Sequence, residues 1–123
     1  DSAAAYAAGL PGKAVLVGND KVLGAVLAAG AAGAITALAN LRSPELRVIY
    51  DAHQRGQDTK ALQSDLDQFR AAMDAMLPAP AYLKALLHAQ HDLPLWSVRA
   101  PLQDFSAEQT LAAVAALQDI KVN

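Results

Sequence analysis

Two short, unalternating apolar runs limit what this chain can fold into more than any other feature: Ala14-Val15-Leu16-Val17 and Gly33-Ala34-Ile35-Thr36-Ala37-Leu38. Runs of this kind belong to strands buried on both faces. Gly18-Asn19-Asp20 ends the first, and Ala39-Asn40-Leu41 forms the exit of the second. Between them, Lys21–Ala29 reads as a helix with Asp20 as its N-cap and Gly30 as its stop. A strand, a helix and a strand joined by short loops make a parallel βα unit. Parallel strands need neighbours on both sides and helices on both faces, and two of them cannot supply either. Bare apolar edges in water are avoided. The sheet is therefore expected to continue in residues outside these 123, or to be completed by another chain.

The flanking segments read as helices. Ala3–Ala8 stops at Gly9, a C′ residue, and Leu10-Pro11-Gly12 is a turn. Ser43-Pro44-Glu45 starts a helix with an N-cap serine, a proline at the first helical position and an early acid, and Gly56 ends it after about Arg55. Beyond this point only helices are expected. Leu62, Leu66, Phe69, Met73, Met76 and Leu77 recur at helical spacing over Thr59–Leu77. Pro78-Ala79-Pro80 breaks that helix, Ala81–Gln90 forms a shorter one, and Asp92–Gln103 is irregular. Ser106 with Gln109 makes a capping box for a last helix to about Asp119. The expected division is 1–56 for the βα units and 57–123 for a helical extension.

Composition excludes several classes. A hydrophobic share of 54% against 18% charged residues suits a packed core and not a disordered chain. A net charge of -2 leaves no basic field for nucleic acid. Without cysteine there is no disulfide framework and no thiolate metal site, which fits a cytoplasmic protein. The longest apolar stretch, Val22–Ala39, is interrupted by Gly24, Gly30 and Gly33 and does not read as a membrane span. His88 and His91 lie three apart with no third ligand nearby, and read as solvated or capping, so no metal is expected. Gly30-Ala31-Ala32-Gly33 precedes a strand and opens no helix, so it is not a dinucleotide fingerprint, and no cofactor is expected.

Val17-Gly18-Asn19-Asp20, followed by Gly30-Ala31-Ala32-Gly33-Ala34-Ile35-Thr36-Ala37-Leu38-Ala39-Asn40, resembles the dihydrodipicolinate synthase / N-acetylneuraminate lyase family of pyruvate-dependent class I aldolases. Pro80 with Lys84 is similar to that family's Pro-x-x-x-Lys stretch, and Val98-Arg99-Ala100-Pro101-Leu102 to its Arg-x-Pro-Leu segment. The resemblance covers nearly all of the chain from Lys13 onward. It implies an α/β fold: the C-terminal part of a (β/α)8 TIM barrel, strands seven and eight, followed by a three-helix extension. It also implies a strand-six lysine that forms a Schiff base with a 2-keto acid and is commonly followed by a pair such as Asp-Ser. The chain begins Asp1-Ser2, so that lysine is expected just before Asp1, with no catalytic residue of this kind within the chain. The stretch from Asp1 to strand seven is shorter than the family pattern. Pyruvate, an aldehyde, the rest of the barrel and further copies in a homotetramer are the implied partners.

In a TIM barrel the chemistry sits at the C-terminal ends of the strands. Gly18, Asn19, Asp20, Ile35 and Thr36 are the substrate-binding candidates there. Gly18 either lets backbone approach a substrate or makes a tight turn. Asn19 reads as a partner for a polyol tail or as a loop residue. Asp20 orients a substrate hydroxyl or caps the helix. By resemblance the Ile35 carbonyl lies near the Schiff-base lysine while its side chain is core. Thr36 interrupts an apolar run, and its hydroxyl serves the substrate or is simply that of a β-branched strand residue. Asn40 is expected to satisfy backbone at the strand exit rather than to touch substrate, and Arg99 to form a structural salt bridge rather than to reach the barrel mouth or a neighbouring subunit. Three functions remain: a 2-keto-3-deoxy sugar-acid aldolase, favoured by Gly18-Asn19-Asp20; a synthase condensing pyruvate with an aldehyde; and a non-catalytic barrel-derived binding or scaffold subunit.

Overall fold

A computed structural model of the chain describes residues 2–120. Its elements are α1 (Ser2–Gly9), β1 (Leu16–Val17), a 3-10 turn (Asp20–Val22), α2 (Leu23–Ala28), β2 (Gly33–Ala34), α3 (Ala39–Gln54), α4 (Lys60–Asp74), α5 (Ala79–His91) and α6 (Ala107–Gln118). They form two units, one ending at Asp67 and one beginning at Gln68.

In the first unit, β1 and β2 pair in parallel, Leu16 opposite Gly33 and Val17 opposite Ala34. The pairing extends to Ala32 N–H on the Val15 carbonyl at 2.8 Å and Ile35 N–H on the Val17 carbonyl at 2.9 Å. The strands are parallel, as expected, and the described residues cover them on one face. Val17 is buried with Val26 and Ala31, and Ala3, Ala7, Val22 and Ala34 pack against them, so α1 and α2 cover one face. The two-residue period sends Leu16 and Ile35 to the other face, where they are 49% and 72% exposed. On that face Gly33, opposite Leu16, is buried, while Leu16 and Ile35 are not. The second strand is also shorter than expected. Beyond Ile35 the chain leaves the ladder and turns through Thr36–Leu38 into α3, with the Asn40 side-chain amide donating to the Ala37 carbonyl at 2.9 Å.

Helix ends follow local chemistry, with corrections. Gly30 (φ 95°) and Gly56 (φ 69°) stop α2 and α3 in the left-handed region, where a Cβ is strained. Gly9 is the last residue of α1 and does not lie beyond it. α3 starts at Ala39, earlier than Ser43, but it is kinked at Arg42 (φ -133°, ψ 35°). Pro44 accounts for the kink: it has no N–H for the Asn40 carbonyl, and its ring crowds that group. α2 and α3 pack together, and Leu23, Val26 and Leu27 of α2 and Leu41, Leu46, Ile49 and Ala52 of α3 are buried. Full burial of a side chain such as Leu27 or Ile49 stabilises by about 1.5–3 kcal/mol.

α4 carries the expected stripe, with Leu66, Phe69 and Met73 buried, but it ends at Asp74 and leaves Leu77 67% exposed. In the second unit α5 packs on α6, burying Tyr82, Ala85 and Leu86 together with Ala113 and Leu117. The Tyr82 ring meets Phe105 edge-on, centroids 6.2 Å apart. α5 starts at Ala79, before the expected Ala81, with Pro78 as its cap and Pro80 inside its first turn, where a missing N–H costs nothing. The irregular stretch after α5 is pinned: His88 Nδ1 to the Leu93 carbonyl at 2.6 Å, Lys84 Nζ to the Ser97 carbonyl at 2.5 Å, and Val98 N–H to Asp104 Oδ1 at 2.6 Å. The His88 ring thus holds the chain just beyond the end of α5. Ser106 and Gln109 form the expected capping box: Gln109 N–H donates to Ser106 Oγ at 3.1 Å, and Ser106 N–H to Gln109 Oε1 at 2.8 Å.

Candidate active site

The C-terminal ends of β1 and β2 lie side by side, because the Val17 carbonyl accepts the Ile35 N–H. That one bond places the Gly18 backbone next to Ile35 and Thr36 at the same end of the sheet. Gly18 is exposed, it does not adopt a positive φ, and a Cβ built on it would meet nothing within 4 Å. Neither backbone strain nor crowding among the described residues requires a glycine there. The open space above it suits close approach by a group from outside.

Asn19 takes the capping role expected of Asp20. Asn19 is the N-cap of the 3-10 turn, its Oδ1 accepting from Lys21 N–H at 3.1 Å. Asp20 is the first residue of that turn and completely buried. The N-cap assignment of Asp20 is therefore corrected. Both residue types cap well, and the extended backbone of Asn19 (φ -128°, ψ 115°) decides between them. Burial also separates Asp20 from the exposed surface that Gly18, Asn19 and Ile35 share.

Ile35 is 72% exposed among the described residues, since it falls on the face of the strand pair that they leave uncovered. Thr36 is only 8% exposed, and its Oγ1 is buried without a hydrogen-bond partner. Leaving a buried hydroxyl unsatisfied costs about 1–3 kcal/mol. A group from outside the described residues would relieve that cost. Arg99 is exposed and forms no ion pair among the described residues, so the expected salt bridge is not found there.

An open groove of about 550 Å³ runs along β1, lined by Ala3, Tyr6, Leu16, Val17, Gly18 and Asn19 among others. A second, of about 370 Å³, borders β2 at Gly33 and Ala34. Both edges of the strand pair thus open into apolar grooves.

One residue at this end was not legible in the sequence. Gln63, in the first turn of α4, donates from Nε2 to the Asp20 carbonyl at 2.9 Å and accepts Gly24 N–H on Oε1 at 3.0 Å. The same Nε2 donates to Asp67 Oδ1 at 2.9 Å. A link between positions 43 apart leaves no mark in local periodicity.

Among the described residues no helix is long and apolar enough to cross a membrane. The family model described as the Dihydrodipicolinate synthetase family matches residues 8–120. A DapA-like lyase of Chloroflexus aurantiacus is 38% identical over 106 residues, covering 86% of this chain and 35% of that protein. The crystal structure of a dihydrodipicolinate synthase from Agrobacterium tumefaciens matches with a TM-score of 0.64 and 26% identity, over 87% of this chain and 35% of that one. The chain therefore spans 35% of the length of these relatives, which fits a partial barrel.

Proposed function

Since this chain belongs to the Dihydrodipicolinate synthetase family, we propose that it is the C-terminal part of a Schiff-base-forming class I aldolase or lyase acting on pyruvate and 2-keto acids, of the 2-keto-3-deoxy sugar-acid kind. In this reading β1 and β2 are barrel strands seven and eight. Residues 1–56 are the last βα units, and residues 57–123 are the helical extension of a protein that assembles as a homotetramer. The Schiff-base lysine precedes Asp1.

The lysine amine adds to the ketone and water leaves, giving a protonated imine that draws in the electrons of the adjacent C–C bond. As that bond breaks, the substrate hydroxyl loses its proton and departs as an aldehyde carbonyl. The residues of this chain bind and orient. Gly18 gives the substrate room against the backbone, Asn19 and the Thr36 hydroxyl meet its hydroxylated tail, and the Ile35 carbonyl faces the lysine. Asp20, being buried, holds the loop from below and acts on substrate only through it.

The observation that carries this reading is the buried, unpartnered Thr36 hydroxyl at the strand end adjoining Gly18. The test is borohydride reduction of the full-length protein with pyruvate, followed by intact mass measurement. A stable pyruvate adduct on one lysine is expected, and a protein that gains none overturns the proposal. The likeness to a dihydrodipicolinate synthase supports a second reading, condensation of pyruvate with an aldehyde, which product analysis distinguishes.

A further inference from the structure

We propose that Gln63 is a positioning residue that fixes the substrate-facing loop Gly18-Asn19-Asp20 from outside the strand pair. This deepens the lyase reading and rests on it. The side-chain amide spans the junction between the loop and α2, holding the Asp20 carbonyl with one end and Gly24 N–H with the other. The orientation of the amide is set by its partners. Gly24 N–H only donates, the Asp20 carbonyl only accepts, and the Asp67 carboxylate only accepts when ionised, so all three demand the same placement of Nε2 and Oε1. Asp67 thus keeps Nε2 pointed at the loop. The contact reaches the last loop residue directly. Asn19, beside it, is already committed to Lys21 N–H, so the loop is held at both of its polar residues.

Gln63→Glu tests this without changing side-chain size. It keeps the acceptor for Gly24 N–H, removes both donors, and sets a carboxylate against the Asp20 carbonyl and Asp67. The loop would meet the aldehyde or hydroxylated tail, and the pyruvate end belongs to the lysine, so the two halves of the reaction report separately. The full-length protein is assayed for pyruvate trapping by borohydride. It is also assayed for turnover of pyruvate with glycolaldehyde, glyceraldehyde, glyoxylate and succinic semialdehyde. In Gln63→Glu, kcat/KM for the aldehyde that the wild type uses should fall about tenfold, the worth of one or two hydrogen bonds, while pyruvate trapping stays within about twofold. Adding Asp67→Asn removes the like-charge clash without restoring a donor to the Asp20 carbonyl. Thermal stability should then recover while aldehyde turnover stays low.

Equal loss of trapping and turnover, or recovery of both in the double variant, would mean a purely structural residue and would overturn the proposal. So would unchanged turnover in Gln63→Glu. A wild type that traps pyruvate but uses none of the four aldehydes overturns it too, because the loop then meets no such acceptor. A wild type that traps no pyruvate overturns the lyase reading itself, and this inference with it.

Discussion

Gly24 lies in the first turn of α2, and a Cβ built there would stand 2.6 Å from Thr59 Oγ1, 3.5 Å from Thr59 Cβ and 3.7 Å from Gln63 Oε1. Two effects of Gly24→Ala oppose each other. Replacing glycine by alanine in a helix favours folding by up to about 1 kcal/mol. Against this, carbon and oxygen forced to 2.6 Å must be relieved by turning the Thr59 side chain or by moving α2 or the start of α4, and overpacking of this kind costs about 1–3 kcal/mol. The clash outweighs the propensity gain, with a net loss of up to about 2 kcal/mol expected. Thr59→Ala removes Oγ1 and leaves only contacts of 3.5 Å and more, which are ordinary. In that background Gly24→Ala should be neutral or stabilising. Denaturant unfolding of the full-length protein and its three variants forms a double-mutant cycle, in which a coupling of at least about 1 kcal/mol is expected. If Gly24→Ala has the same effect with and without the Thr59 hydroxyl, or stabilises both, close approach is not why a glycine stands there.

Two further outcomes follow from the same structure. Thr36→Val keeps the shape of the side chain and removes a buried hydroxyl that has no partner, so folding stability should hold or rise by about 1–3 kcal/mol while turnover falls; a less stable protein with full activity would contradict the role given to Thr36. Ser106→Ala removes the acceptor for Gln109 N–H and half of the capping box, and thermal or denaturant unfolding should register a loss of about 0.5–2 kcal/mol, with pyruvate trapping unaffected.

Helix termini were the most legible part of the chain, because capping acts over three or four residues. The Ser106 box, the Gly30 and Gly56 stops and the Asn40 contact at the strand exit all sit where their local chemistry indicates. The parallel sense of β1 and β2 was legible too, since a helix joined to both by short loops allows little else. Errors arose where two nearby residues offered the same chemistry. Asn19 and Asp20 are both good caps, and near Pro44 the break in the helix falls at Arg42, one residue before the capping Ser43. Backbone dihedrals choose between them, and composition does not.

At the candidate site, the sequence by itself determined that Gly18, Asn19 and Asp20 follow the first strand, since its apolar run stops there. That the second strand ends near Ile35 and Thr36, inside an apolar run that continues to Leu38, was decided by the tertiary structure. Only the tertiary structure decided what each of them faces. Whether Asp20 is buried while Gly18 stays open, whether Leu16 or Val17 meets the helices, and whether the Thr36 hydroxyl finds a partner depend on which layers cover the strands. The Gln63 clamp and the Thr59 contact at Gly24 depend on α4 returning to α2 from 35 or more positions away. A local pattern records the period of a strand or the cap of a helix, because those interactions lie between neighbours in sequence. Burial and long-range hydrogen bonds are set by neighbours in space, and no window of adjacent residues contains them.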